Sequence, residues 1–304
     1  MKESIQCVWF KRDLRVTDHE PMAAAAEAGP ILPLYIIEPE VIQAADFDTM
    51  HWQFIRESLI QLQNNLAERG LALQVIHGSA VEVFESLRVR FDIAGIHAHE
   101  ETGNRITYDR DRAVKRWADV AGVSFQETPQ NGVQRCLRDR DGWAGQWEWH
   151  MTQPLAQVPD QMEPAPDLTA TEVPSAEELG LRVMPREVYL SGGEDEGRRV
   201  LPGFIGGRGH RYHREMSSPN TAYESCSRIS PYLAWGCLSM RTVVQTVREA
   251  AASGGMPKVA SRAFLSRCHW HCHFMQKLES EPAIEFHAFN RACDTLRPKE
   301  IDPE

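Results

Sequence analysis

From Ile5 to about Gln126 the chain alternates short apolar runs with longer amphipathic stretches, and this alternation constrains the fold more than any other feature. IQCVWF, ILPLYII, LALQVI, FDIAGIHA and VSFQ have the length and the branched and aromatic content of buried strands. Between them HEPMAAAAEA, MHWQFIRESLIQLQNNLAERG, SAVEVFESLRVR and GNRITYDRDRAVKRWADVAG read as helices. In the second of these Phe54, Leu59, Leu62 and Leu66 fall near one face, and Gly70 is placed as a C-cap. Strands separated by helices pair in parallel through right-handed crossovers, so residues 1–127 are expected to form a doubly wound, Rossmann-like α/β domain. No G-x-G-x-x-G follows the first strand, which runs straight into Lys11-Arg12-Asp13-Leu14-Arg15, and an ordinary dinucleotide site is not expected there. Ligands of such sheets lie beyond the carboxyl ends of the strands, which directs attention to the loops after Phe10, Ile37, Ile76 and Ala98.

The alternation stops at about Thr128. Residues 128–197 are rich in Pro, Ala and acids, as in QVPDQMEPAPDLTATEVPSAEELG, and lack a sustained period, so they are expected to be an inter-domain linker. Within 198–304, ISPYLAWGCLSMRTVVQTVREAAAS and VASRAFLSRCHWHCHFMQKLES read as helices with no strand between them. The second domain is therefore expected to be helical. At 304 residues with 42% hydrophobic content, the chain is long enough for two such units.

A net charge of -10 argues against wholesale adhesion to nucleic acid, because phosphate neutralisation depends on Lys and Arg. It leaves room for a local basic face, and Arg198, Arg199, Arg208, His210, Arg211, His213 and Arg214 form the candidate stretch, with a solvated surface run as the alternative. No apolar run approaches a membrane span, the amino terminus does not resemble a signal peptide, and seven scattered cysteines read as reduced thiols; a cytoplasmic protein is expected. Cys268, His269, His271, Cys272 and His273 lie close in sequence, with His287 near. On a helix the Cys and His pairs point to different faces, and no second pair completes a zinc site, so no metal is expected.

Two segments carry a family resemblance. VWFKRDLRVTDHEPMAAAA resembles the opening of photolyases and cryptochromes, with Trp9, Phe10, Arg12, Asp13, Leu14, Arg15 and Asp18 in the matching places; Asp18 also has the chemistry to N-cap the helix that follows. RGHRYHREMSSPNTAYESCSRISPYLAWGCLS resembles the flavin-clamping region of the same family. The resemblance covers nearly the whole chain. It implies FAD as cofactor, lined by Tyr212, Cys226, Ser227, Arg228, Ile229, Ser230 and His271, with Cys226 where many relatives carry Thr. The Ser227–Ser230 run suits a diphosphate, since hydroxyls and the free amides of a starting helix donate to an anion and Pro231 sits in the first turn without loss.

The resemblance also matches Trp270 to a tryptophan that stacks on an extruded lesion base. Arg267 stands where relatives carry an acid, His271 where they carry Arg, and Met216 where DNA-repairing relatives often carry Arg. Glu101 falls where an acid contacts a folate antenna pigment in some members, others holding a deazaflavin or FMN; a solvated loop acid is the alternative reading. The implied activity is light-driven, FAD-dependent electron transfer that repairs ultraviolet pyrimidine dimers in DNA, a carbon–carbon lyase reaction. The alternatives are a cryptochrome-type photoreceptor without repair, or a truncated inactive fragment. Family members continue past the position of Glu304, so the expectation is a chain that carries one wall of the flavin site and only the first part of the FAD-binding domain.

Overall fold

The computed structural model describes residues 2–182 and 190–296. Five strands, β1 (Ser4–Phe10), β2 (Ile31–Ile37), β3 (Gln74–His77), β4 (Asp92–His99) and β5 (Ser124–Thr128), form one parallel sheet in the order β3-β2-β1-β4-β5. The crossovers run through α1 (Glu20–Ala28), α2 (Pro39–Ile42), α3 (Thr49–Ala67), α4 (Ala80–Arg90) and α5 (Arg105–Ala121). This is the doubly wound α/β architecture that the alternation predicts. The strand order reverses at β1, so the loop after Phe10 lies at the switch point. Asp18 does not cap α1. The cap is His19, whose Nδ1 accepts the Met22 amide at 3.2 Å, while Asp18 takes a left-handed φ of +49° and turns its carboxylate elsewhere.

The period of two along β1 sends Ile5, Cys7 and Trp9 to one face and Val8 and Phe10 to the other. The first face packs under α4 and α5 with Val83, Phe84 and Val114. The second packs on α1 and α3 through Met22, Ile55 and Leu59, and its core continues without interruption into Leu201, Phe204, Val243 and Phe264. The sheet domain and the helical residues thus share one hydrophobic interior.

That helical part comprises α6 (Trp143–Thr152), α7 (Glu194–Ile205), α8 (Tyr212–Glu215), α9 (Ala222–Ser225), α10 (Ser230–Ala234), α11 (Met240–Ala252) and α12 (Lys258–Ser280). Helix α6 lies inside the segment expected to be linker, and Trp143, Trp147 and Met151 bury its inner face. Other described residues of that segment are tied down as well. Gln134 and Gln276 exchange backbone-to-amide bonds of 2.7 and 2.9 Å, Ile31 exchanges backbone bonds with Glu163 and Ala165 at 2.8 Å, and Thr171 Oγ1 accepts the Val75 amide at 2.6 Å.

The stretch 229–253 is split at Trp235–Ser239 rather than forming one helix. Gly236 adopts φ +63°, and Ser239 caps α11 by accepting the Thr242 amide at 3.0 Å. At Gly236 the helical layer crosses the β1 loop so closely that a Cβ would lie 2.1 Å from the Arg12 carbonyl oxygen and 2.5 Å from Asp13 Cα. Gly236→Ala is expected to destabilise the chain by more than the roughly 1 to 3 kcal/mol of the backbone conformation alone. Urea unfolding checks this, and a loss well under 1 kcal/mol would contradict the close crossing. Among the described residues no helix is long and apolar enough to cross a membrane.

Candidate functional site

Lys11, Asp13, Arg15 and Asp18, in the loop after β1, are buried, and each has a partner. Arg15 is 2% exposed and donates to the carbonyls of Thr17, Asp18 and Gly236, each at 2.9 Å. Asp18 accepts from Ser239 Oγ at 2.6 Å, Arg241 Nη2 at 2.5 Å and the Ala156 amide at 2.9 Å. Glu194, at the start of α7, accepts the Val16 amide at 2.8 Å. The Arg-x-x-Asp pattern therefore joins the sheet domain to three separate pieces of the helical layer.

Deeper in the same loop, Asp13 Oδ2 receives His19 Nε2 at 3.1 Å and His99 Nδ1 at 2.8 Å, all three residues being 3% exposed or less. Because His19 Nδ1 already accepts an amide, its proton is on Nε2 and points at Asp13. Burial pushes the His99 imidazole down to about 3, so it is neutral. Burial also favours protonated Asp13, yet the two imidazole hydrogen bonds outweigh it and hold the carboxyl well below the usual carboxylate range. The three donor atoms lie within 4.8 Å of one another, the spacing of a metal set, and here all three are engaged in hydrogen bonds. Nothing in the sequence pattern singled out His19 or His99.

Beyond the carboxyl ends of β1 and β2 lies a cleft of about 40 Å³ lined by Trp9, Arg12, Tyr35, Trp52, Arg110 and Trp235 among others. Its position is the one the strand ends predict. Glu101 borders it and is not a solvated loop acid: it is 7% exposed, receives Arg110 Nη2 at 2.5 Å and stands 3.3 Å from Arg12 Nε. Burial alone would raise its pKa, but Arg110 and Arg12 bring it down to about 2. Arg110 bonds Glu38 at 2.6 Å as well, and Lys11 bonds Asp111 at 3.0 Å.

The residues matched to a flavin clamp lie on one stretch of the helical layer. The Tyr212 ring packs edge-on to Phe204 and Phe264, and its hydroxyl lies near Cys226 and Arg267; burial, with Cys226, pushes that hydroxyl up to about 12. Arg208 fastens the loop from below, donating to the carbonyls of Cys226 at 3.0 Å and Ser227 at 2.8 Å. Arg228 is held at φ +61°, its guanidinium 4.1 Å over the Tyr223 ring. Ser230 is the first residue of α10, and the cap position falls on buried Ile229, whose side chain makes no cap bond. The helix that was to support an anion is five residues long, so the hydroxyls of Ser227 and Ser230, which have no partner among the described residues, are the open donors there.

On α12 the period of 3.6 separates the remaining candidates. Arg267 and Trp270 face solvent, Trp270 47% exposed and its ring 5.5 Å from that of Phe274. His271 turns the other way, into a cleft of about 200 Å³ shared with Arg12, Glu101, Gln130, Leu233 and Met275. Cys268 and Cys272 are buried in the core, and His269 packs between Trp143 and Trp147. Three of the five arginines of the basic stretch are paired with flanking acids: Arg198 stands 3.7 Å from Glu194, Arg199 2.7 Å from Glu196, and Arg211 3.1 Å from Glu215.

A doubly wound sheet locked through its first loop to a helical layer, which carries a Ser-Arg-Ile-Ser turn and an exposed aromatic helix face, defines a two-part α/β-plus-helical protein. The DNA photolyase family profile matches residues 6–137. The deoxyribodipyrimidine photo-lyase of Halobacterium salinarum is 26% identical over 301 residues, covering 90% of this chain and 61% of the relative. The cryptochrome DASH of Natronomonas pharaonis is 27% identical over 261 residues, covering 77% and 54%. In fold, a bacterial class III photolyase from Agrobacterium tumefaciens superposes with a TM-score of 0.81 at 19% identity, covering 99% of this chain and 64% of that one. Residues 6–137 match the DNA photolyase family, and the chain as a whole is similar to photolyases and cryptochromes. It spans between about half and three fifths of the length of these two curated relatives.

Proposed function

We propose that the chain carries the sheet domain and one wall of the cofactor and DNA site of a light-driven, FAD-dependent electron-transfer protein that repairs pyrimidine dimers in DNA. The observation that carries this reading is the exposed Trp270, set beside Phe274 and on the same helix face as Arg267. A flat ring open to solvent next to a cation is what an unstacked base needs as a platform. FAD would lie against Tyr212, Cys226 and Ile229, with Ser227, Arg228 and Ser230 donating to its diphosphate; His271, facing the neighbouring cleft, would approach from the side. When bound, FAD supplies an electron on absorbing light. The chain's own part is to position: Trp270 stacks the base, and Arg267 donates to base carbonyls where a carboxylate would accept. The seven cysteines are unpaired, which suits a reducing, cytoplasmic compartment.

The second reading, a photoreceptor without repair, is favoured by Arg267 and Met216, which replace an acid and a phosphate-binding Arg of the family pattern. Trp270→Ala is expected to weaken binding of a dimer-containing oligonucleotide by about 1 to 3 kcal/mol, measured by fluorescence anisotropy. Unchanged binding would remove the platform from the reading. Light-dependent loss of dimers, compared between the FAD-loaded chain and Arg267→Glu, separates the two functions. Repair by either supports the photolyase reading, and binding without repair by both supports the photoreceptor.

A further inference from the structure

We propose that Glu101 is the anion of a closed ion ladder rather than a pigment contact, and that the clefts it borders take no folate or flavin antenna. The inference concerns a second chromophore and is independent of whether FAD binds the helical layer. Glu101 borders three clefts, of about 40, 30 and 200 Å³. Sites that enclose a bicyclic or tricyclic ligand measure roughly 300 to 1,000 Å³, so even the largest falls short and the two smallest do so by about tenfold.

Side chains occupy the space a ring would need. The Arg12 guanidinium lies 4.7 Å from the centre of the Trp235 ring, and that of Arg110 lies 5.0 Å from the centre of Trp9. Arg110 spans Glu38 and Glu101 at 2.6 and 2.5 Å, across the space beyond β2 and β4. Admitting a flat chromophore would require Trp235 or Arg12 to leave. Trp235 is held by its own backbone, whose carbonyl accepts the Leu14 amide at 3.0 Å, and displacing Arg12 would leave the buried Glu101 carboxylate with one cation fewer. A space of about 40 Å³ suits a few waters. Trp52 Nε1, buried in this wall with no hydrogen-bond partner among the described residues, is the donor such a water would occupy.

The test titrates the purified chain with FMN and, separately, with a methenyl-folate, following the melting temperature and pigment fluorescence. The expected result is no upward shift with either pigment that depends on Glu101, while Glu101→Gln lowers the melting temperature whether or not pigment is present. A shift or quenching in the unaltered chain that is lost in Glu101→Gln would overturn the proposal. Should Glu101→Gln fail to fold, Val41→Trp, Leu278→Trp and Met275→Trp, which fill the clefts of about 40, 30 and 200 Å³, take its place. Binding abolished by any of them overturns the proposal, and binding that survives all three lies away from Glu101 and supports it.

Discussion

Asp18→Ala is expected to cost about 3 to 5 kcal/mol of stability, the loss seen when one partner of a buried ion pair is removed and the other stays behind uncompensated. That is a large part of the roughly 5 to 15 kcal/mol available to a folded domain. The carboxylate accepts from Arg241, Ser239 and the Ala156 amide at once, so its removal loosens α11, the segment after α6 and the β1 loop together. Asp18→Asn separates the causes, since Asn tolerates the left-handed backbone at φ +49° and keeps the shape while losing the charge. Pairing Asp18→Ala with Arg241→Met should cost less than the two changes added, because the stranded cation is gone. Burial favours the protonated acid, but Arg241, Ser239 and Arg15 outweigh it and hold the Asp18 pKa below its ordinary value of 3.8. A depressed pKa gives stability that is complete above 3.8 and drains away as pH falls toward the lower folded value. Guanidinium titrations at neutral pH and at several acidic pH values check both the size and the direction, and an Asp18→Ala chain as stable as the parent would refute the joining role.

The sheet was legible because its strands are apolar runs of strand length bounded by Gly, Pro and acid, and a one-dimensional period is enough to find them. β3 is shorter than the apolar run around it: Leu71 and Leu73 are buried by the turn that closes α3, where Leu71 donates to the Leu66 carbonyl, and pairing with β2 begins only at Gln74. Helix α6 was hidden for a different reason. Its buried residues are Trp143, Trp147, His150 and Met151 in a ten-residue stretch holding a glycine, so the stability comes from packing on α11 and α12 and not from local propensity. The place of a cleft was legible from strand order, whereas the identity of its walls was not, because Trp235 reaches it from more than 200 residues beyond β1. Glu101 shows the same limit. Its sequence surroundings read as a polar loop, and only the fold brings Arg110 and Arg12 to either side of its carboxylate.

Arg110→Met should destabilise the chain by about 3 to 5 kcal/mol at neutral pH, because its loss strands the largely buried Glu38 and leaves Glu101 and Asp111 with only Arg12, Lys11 and Arg135 beside them. Arg110 stands within 2.9 Å of Glu38, Glu101 and Asp111. Even with it in place, burial keeps the Glu38 pKa above its ordinary value, Arg110 only partly opposing the rise. In the parent the depressed Glu101 contributes stability that is complete above its ordinary 4.5 and is lost as pH falls toward about 2. In Arg110→Met the Glu38 carboxyl, left to burial and its neighbouring acids, rises further, and the lowering of Glu101 weakens to what Arg12 and Lys11 supply; a raised pKa gives stability at low pH that disappears as pH rises. The gap between parent and variant is therefore expected to be widest near neutrality and to close as pH drops below about 4.5. Arg110→Lys should fall between them, since an ammonium keeps the charge but lacks the planar fork that reaches Glu38 and Glu101 together. A gap that stays constant from neutral to acid pH would show that the loss comes from the guanidinium's packing over Trp9, at 5.0 Å, and that the ladder's charges contribute little.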